Sequence, residues 1–172
     1  MSQIEAANSA YQTFTNECQS LMLGTVSVDG TPNVSYAPFV MDESKNIYVY
    51  VSGLSVHTKN LYAVPKASVM FIEDESKSQQ IFARRRLTFE CSATFVERET
   101  ELWNQVIERY EERFGGIIKV FRDLPDFRIF KLQPHQGRFV IGFGAAYNIQ
   151  PNDLNTLTHI RGEGKGHGER VA

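Results

Sequence analysis

The ten residues RLTFECSATF, at positions 86–95, carry the clearest structural pattern of this chain. Apolar and polar residues alternate there, which is the periodicity of a β-strand with one face in a core and the other in water. Cys91 belongs to the apolar set, where a thiol packs and does not act as a nucleophile. The pattern predicts a long, half-buried strand.

Further strand-forming segments lie on both sides of this stretch at short spacing. Asp29-Gly30 favours a tight hairpin turn, because this dipeptide tolerates positive φ angles. Pro134-His135-Gln136 predicts the turn of a final hairpin. Val34, Tyr36 and Val40 fall on one face of the second strand. The additional strands are predicted over residues 21–28, 33–40, 47–51, 67–72, 127–132 and 137–143.

Short helices are predicted among these strands. Residues 3–18 have the pattern of a polar-faced helix, and residues 55–63 form a short helix that Pro65 stops. Thr100 can cap a third helix, which Gly115-Gly116 ends. Many short strands with helices of this length predict a mainly β fold, an antiparallel barrel, and not a doubly wound sheet.

Length and composition fit one globular domain. The chain has 172 residues, of which 42% are hydrophobic and 22% charged. We place the domain, with its amino-terminal helix, at residues 1–150 and treat residues 151–172 as a polar C-terminal segment. A formal net charge of −2 offers no cationic surface for a polyanion, which argues against a nucleic-acid partner.

The same composition predicts a cytoplasmic protein. No stretch approaches the roughly 18 consecutive apolar residues of a membrane helix, so membrane insertion is not expected. The first 17 residues lack both the basic and the apolar regions of a secretory signal. Cys18 and Cys91 are too few for a disulfide framework, and free cysteines suit a reducing compartment.

The C-terminal segment contains one conspicuous histidine. Glycine occupies every second position from 162 to 168, on both sides of His167. A segment of this kind could carry His167 to a partner, and a chain end in which the histidine has no role is the alternative. It is not a phosphate loop, because the preceding strand, the following helix and a Ser or Thr beside the lysine are all missing.

Asp126 follows Pro125 at the start of a predicted strand. A carboxylate in that position commonly accepts hydrogen bonds in a turn or cap. A second role needs a histidine: a carboxylate that accepts the N–H of a metal-bound imidazole fixes its tautomer and raises its basicity. The sequence leaves both roles open.

Basic residues mark two further places. Arg84 and Arg86 share the polar face at the start of the long strand and could clamp a phosphate or a propionate, although exposed arginines are often only solvated. His57 and Lys59 lie near a helix start, where unsatisfied backbone N–H groups favour an anion. A structural role for His57 is the alternative.

The block GTPNVSYAPFV, residues 30–40, resembles the second-strand signature of the haem iron utilisation proteins. These proteins are a branch of the pyridoxamine-phosphate-oxidase-like split-barrel superfamily. The resemblance extends in order and spacing over nearly all of residues 20–150. The other matching segments are residues 57–65, 72–74, 82–89, 101–103, 126–127 and 142–147.

This resemblance implies a six-stranded antiparallel split β-barrel, an intertwined homodimer and a haem at the dimer interface. It assigns the iron ligand to His167, within a Gly-His pair, and a hydrogen bond across the interface to Asp126. It also links Arg86 to the haem pocket. The stretch between His159 and Gly166 is longer than in the family, which leaves His159 as a second candidate ligand.

The family implies an enzyme that degrades haem with O2, opens the ring towards a biliverdin-type product and releases iron. Electrons would come from an external donor. One alternative is an FMN-dependent oxidase or reductase of the parent superfamily, which would bind the flavin phosphate through Lys59 and the arginines. The other is a haem carrier or storage protein without catalysis.

Overall fold

The computed structural model describes residues 2–151 and 153–160. Four α-helices are present in that part of the chain: α1 (Gln3–Phe14), α2 (Val56–Ala63), α3 (Glu101–Phe114) and α4 (Ile117–Asp123). The strands are β1 (Ser20–Val26), β2 (Pro32–Met41), β3 (Ile47–Ser52), β4 (Lys66–Ile72), β5 (Arg86–Val96), β6 (Phe127–Gly142), β7 (Ala145–Gln150) and β8 (Asp153–His159).

The strands form one sheet in the order β3-β2-β1-β4-β5-β6-β7-β8, and β3 pairs in addition with β6. That extra pairing joins Ile47 to Leu132 and Ser52 to Phe127, in antiparallel register. It closes β1 to β6 into a six-stranded barrel, which removes the free edges of those strands. The predicted split barrel is therefore confirmed.

β6 is a single strand, so the hairpin predicted around Pro134-His135-Gln136 is wrong. On one side, β6 pairs with β3 as far as Leu132, and its pairing with β7 begins at Gly137. Pro134 lies between these two ladders, where its missing N–H costs the sheet no hydrogen bond on that side. The residues that suggested a turn mark a change of partner strand instead.

Two strands beyond the barrel were missing from the sequence prediction. β7 and β8 pair with each other in antiparallel register, for instance Ile149 with Leu157. Leu157 is the one buried side chain among the described positions of β8, because the strand lies at the edge of the sheet. A mostly exposed edge strand lacks the apolar alternation that reveals a strand in a sequence.

The chain divides into two compact units. The barrel unit comprises Gln19–Val69 and Glu90–Pro134. The terminal unit comprises Met1–Cys18, Met70–Phe89 and His135–Ala172, of which the residues given above are described. The predicted boundary between residues 150 and 151 stays a prediction.

The core of the barrel unit includes the inner face of α3. Trp103 is 1% exposed, and the guanidinium carbons of Arg98 and Arg122 lie 5.3 and 5.4 Å from the centre of its ring. The Tyr110 hydroxyl lies 3.0 Å from the backbone nitrogen of Tyr50, which donates to it. Burial of these aromatic rings, which are large apolar surfaces, stabilises α3 on the barrel.

In the terminal unit, α1 packs through two aromatic rings. Tyr11 and Phe14 lie 5.7 and 5.5 Å from the ring of Phe139 in β6. The Tyr11 hydroxyl also donates a 2.7 Å hydrogen bond to the carbonyl of Leu154 in β8. The helix predicted over residues 3–18 is present as α1, followed by a short 3-10 turn over Thr15–Glu17.

Cys91 is 4% exposed on the inner face of β5, as its place in the alternation predicted. Burial raises the pKa of its thiol to about 12, so the reactive thiolate is disfavoured.

Within the described residues, no helix has the length and apolar character needed to cross a membrane.

The outer face of β1 and β2 is apolar and exposed. Tyr36 pairs with Met22 and Val34 with Gly24, so these side chains share one face of the hairpin. Val34 is 76% exposed and Tyr36 66%, whereas Val40 on the same strand is buried. The face that the sequence grouped together therefore points outward over most of β2.

Candidate functional site

Asp126 is fixed at the start of β6 by the end of β3. The Ser52 hydroxyl donates to its Oδ2 atom over 3.0 Å, and the backbone N–H of Gly53 donates to its carbonyl over 2.6 Å. The side chain is half-buried, and Oδ1 has no hydrogen-bond partner among the described residues. One carboxylate oxygen is thus held and the other is available.

His57 lies in the first turn of α2 and is half-buried. Its Nδ1 atom lies 2.9 Å from the hydroxyl oxygen of Ser35, and Nε2 is buried with no partner among the described residues. Burial lowers the pKa of this imidazole, because the charged form is poorly solvated there. The contact with Ser35 accords with the structural role that the sequence left open.

Lys59 lies two residues further along α2 and is exposed. It forms no ion pair with the residues that the structure describes. The predicted anion-binding role of Lys59 and His57 stays a prediction, since a short helix start alone does not define a site.

The three consecutive arginines have different surroundings. Arg84 forms a 3.0 Å ion pair with Glu75. Arg85 pairs with Glu17 over 2.7 Å and with Glu73 over 3.4 Å. These contacts already neutralise two of the three guanidinium groups, which reduces their capacity to hold a further anion.

Arg86 is the exception. Its guanidinium donates over 3.0 Å to the carbonyl of Arg84 and has no carboxylate partner in the described part of the chain. The side chain is half-buried at the first position of β5. Of the two predicted clamp residues, Arg84 is paired with Glu75 and Arg86 has no carboxylate partner among the described residues, and the ligand-binding role of both stays a prediction.

A cavity of about 440 Å³ lies in the terminal unit, within the size range of small-molecule sites. Its lining combines polar and charged groups from the connection before β5 with apolar groups from the end of β6. Phe143 is 74% exposed there, and Lys77 forms no ion pair with any described residue. The cavity is lined by Glu73, Lys77, Ser78, Gln79, Gln80, Ala83, Arg85, Ile141, Gly142 and Phe143.

The two candidate iron ligands have different positions in the chain. His159 ends β8, where its Nε2 atom lies 2.8 Å from the carbonyl oxygen of Gly144 and must donate to it. Its ring lies 5.2 Å from that of Tyr147. His167 is outside the described residues.

Some residues around these sites were not singled out in the sequence. The strand predicted over residues 47–51 stops short of Ser52 and Gly53, although these two residues hold Asp126. Arg85 was not among the predicted ligand-binding residues, yet it lines the cavity. Phe143 belongs to the GFGAAY block at residues 142–147, and that motif was the available signal.

Comparison with known proteins gives the relationship. The family model described as pyridoxamine 5′-phosphate oxidase matches residues 7–141. The chain is 47% identical over 154 residues to the heme oxygenase HutZ of Vibrio cholerae, an overlap of 90% of this chain and 85% of HutZ. This chain belongs to the pyridoxamine 5′-phosphate oxidase family.

Two solved structures resemble the fold of this chain and share at least 33% sequence identity with it. A crystal structure of HutZ from Vibrio cholerae, described as a heme storage protein, superposes with a TM-score of 0.74 and 48% identity, over 79% of this chain and 95% of HutZ. Campylobacter jejuni ChuZ superposes with a TM-score of 0.84 and 33% identity, over 98% of this chain and 67% of ChuZ. The family resemblance that the sequence motifs indicated is confirmed.

Proposed function

We propose that this chain binds haem and degrades it with O2, releasing the iron. The observation that carries the proposal is the 47% identity, over 90% of the chain, to a Vibrio cholerae protein named heme oxygenase. At that level of identity, over nearly the whole chain, the pocket and its chemistry are expected to be shared. Haem is the substrate, and its iron supplies the redox centre at which O2 is reduced.

The described residues fit a haem in two respects. Phe143 and Ile141 provide apolar contact for a flat ring, and Lys77 in the same cavity provides a cation for a propionate. Arg86, which has no carboxylate partner among the described residues, offers a second cation. This combination suits an amphipathic dianion.

His167 is the proposed iron ligand, and His159 is the second candidate. The hydrogen bond from Nε2 of His159 to the Gly144 carbonyl occupies the ring nitrogen at the tip of that side chain. Asp126 supports the ligand: its Oδ1 atom accepts the second N–H of the imidazole and holds the ring in one orientation. Arg84, His57 and Lys59 remain predicted haem contacts, and they are less important to the proposal than His167 and Asp126.

A second copy of the chain completes the site in this proposal. Monomeric proteins rarely expose a contiguous apolar surface, and β1 and β2 present Met22, Val34 and Tyr36 to solvent. A homodimer that covers this face would bury those side chains. The family resemblance implies that His167 of one copy then meets Asp126 of the other. Free buried cysteines and the need for an electron donor accord with a reducing cytoplasm.

Haem storage without degradation is the second candidate, because the HutZ crystal structure is described as that of a heme storage protein. The same residues would bind haem in both cases. The FMN alternative predicted from the parent family is less favoured, because the relative that is 47% identical over 154 residues, 90% of this chain, is named a heme oxygenase.

One experiment separates the three functions. The purified protein is titrated with haemin, and ascorbate is then added in air while the Soret band and the released iron are followed. We expect a stoichiometric Soret shift, then its loss together with a biliverdin-type product and iron. A persistent Soret band without product would identify storage, whereas a yellow protein that ignores haemin would contradict haem binding altogether.

Asp126→Asn tests the proposed role of the carboxylate. The amide keeps the size of the side chain but is a weaker acceptor, so haem should still bind. The degradation rate should fall about 10-fold or more, the usual effect of losing a hydrogen bond to a metal ligand, and its pH profile should change. Asp123→Asn, an exposed carboxylate at the end of α4, is the control. Unchanged kinetics in Asp126→Asn would remove Asp126 from the mechanism.

A further inference from the structure

Ser52, the last residue of β3, donates its hydroxyl hydrogen to the carboxylate of Asp126. We propose that Ser52 is a positioning residue, which holds Oδ2 of Asp126 so that Oδ1 alone faces the ligand histidine. This inference rests on the proposed function. It assigns a role to a side chain that does not itself contact haem or the iron ligand.

The hydrogen bonds of Ser52 leave its hydroxyl one orientation. A hydroxyl has a single hydrogen, and the 3.0 Å contact directs it to Oδ2 of Asp126, which can only accept. The backbone N–H of Leu54 donates to the Ser52 oxygen over 3.2 Å and so occupies an acceptor position of the same hydroxyl. The donor role towards Asp126 is therefore fixed locally.

The main chain around Ser52 is also held in place. The Thr58 hydroxyl, on a side chain that is 1% exposed, donates to the Ser52 carbonyl over 2.6 Å. Gly53 approaches Asp126 so closely that a Cβ atom on it would lie 2.7 Å from the Asp126 carbonyl oxygen. These contacts set the distance between the hydroxyl and the carboxylate.

The hydrogen bond from Ser52 matters because the carboxylate of Asp126 can otherwise rotate. The terminal torsion of an aspartate is broad, so an unheld carboxylate samples a wide range of angles around two equivalent orientations. If Oδ2 is engaged by Ser52, the histidine N–H meets Oδ1 in one geometry. Without that bond the carboxylate rotates, the average hydrogen bond to the imidazole weakens, and the ligand becomes less basic.

Ser52→Ala in the haem-loaded full chain tests the inference. The Fe–His stretching band in the resonance Raman spectrum of the ferrous protein should move to lower frequency, and the midpoint potential of the iron should become more positive. Both changes should have the same sign as in Asp126→Asn. The degradation rate should fall by less than the roughly 10-fold expected for Asp126→Asn.

Two companion variants separate the hydroxyl from the fold. Ser52→Thr keeps a hydroxyl and should restore the wild-type band and potential. Ser55→Ala removes a hydroxyl three residues away that forms no side-chain cap hydrogen bond with α2, and it should change neither. The N–H of Leu54 can bind water in Ser52→Ala, and loss of the hydrogen bond to Asp126 should lower the unfolding temperature by only about 2–4 °C, so the variant stays folded.

The outcomes are distinguishable. A wild-type band and potential in Ser52→Ala, with a shift in Asp126→Asn, would overturn the role of Ser52 and leave the proposed function standing. A shift in Ser52→Ala that Ser52→Thr does not reverse would also overturn it, because the hydroxyl would not be responsible. Failure of the wild type to bind haemin would overturn the proposed function and this inference together.

Discussion

Replacing His167 with alanine should lower the affinity for haem by about 100-fold or more. Loss of a group that only hydrogen-bonds to a metal ligand typically lowers affinity 10-fold to 100-fold, and loss of the ligand itself should exceed that. The affinity is measured by titrating the apoprotein with haemin and following the Soret band. The variant should also lose the Fe–His band in the Raman spectrum of the ferrous protein.

His159→Ala is the matched control for that experiment. It removes the hydrogen bond to the Gly144 carbonyl, which is 2.8 Å long, at a cost of about 1 kcal/mol in stability. Haem affinity should stay at the wild-type value. If His159→Ala loses haem and His167→Ala keeps it, His159 is the ligand, and two variants that both bind haem normally would contradict a C-terminal histidine ligand.

Trp103→Ala should have the largest effect on folding, about 3–5 kcal/mol in the free energy of unfolding. The indole is 1% exposed in the core of the barrel unit, with the Arg98 and Arg122 guanidinium groups within 5.4 Å of its ring centre. Truncation leaves a cavity and removes both cation contacts. Urea denaturation, followed by circular dichroism, measures the change.

Leu102→Ala provides the comparison at the next position of α3. Leu102 is 37% exposed, so its truncation removes less buried surface and should cost about 1 kcal/mol. Both substitutions place alanine in the same helix, so the change in helix propensity stays small beside the packing difference. A Trp103→Ala variant as stable as Leu102→Ala would show that α3 does not depend on this aromatic contact.

Local pattern predicted most of the barrel but not where the sheet ends. Strands with one buried face, such as β5, are recognisable by the alternation of apolar and polar residues, because every second side chain must be apolar. β8 was not predicted, because most side chains of an edge strand are exposed and need not alternate. Pro134 predicted a turn that is absent. Proline is also compatible with a strand at a change of partner, which is where it lies in β6.

Some residues of the candidate site could likewise be predicted from the sequence, and others could not. The family resemblance, which rests on local sequence motifs, indicated Asp126, Arg86 and the Gly-His pair containing His167. No sequence pattern connects Ser52 with Asp126, which lies 74 positions later. There is also no sign in the sequence that Glu17 would pair with Arg85, 68 positions away, and so distinguish Arg85 from Arg86.

Alternation and motif order are local properties, so they are sufficient to predict a mainly β barrel of the pyridoxamine 5′-phosphate oxidase family. The folded chain is needed to learn which oxygen of Asp126 is free, which of the three consecutive arginines lacks a carboxylate partner among the described residues, and which apolar face is left in water. Each of these depends on strand register and closure, which bring distant residues within hydrogen-bond distance. No window of the sequence contains both partners of such a contact.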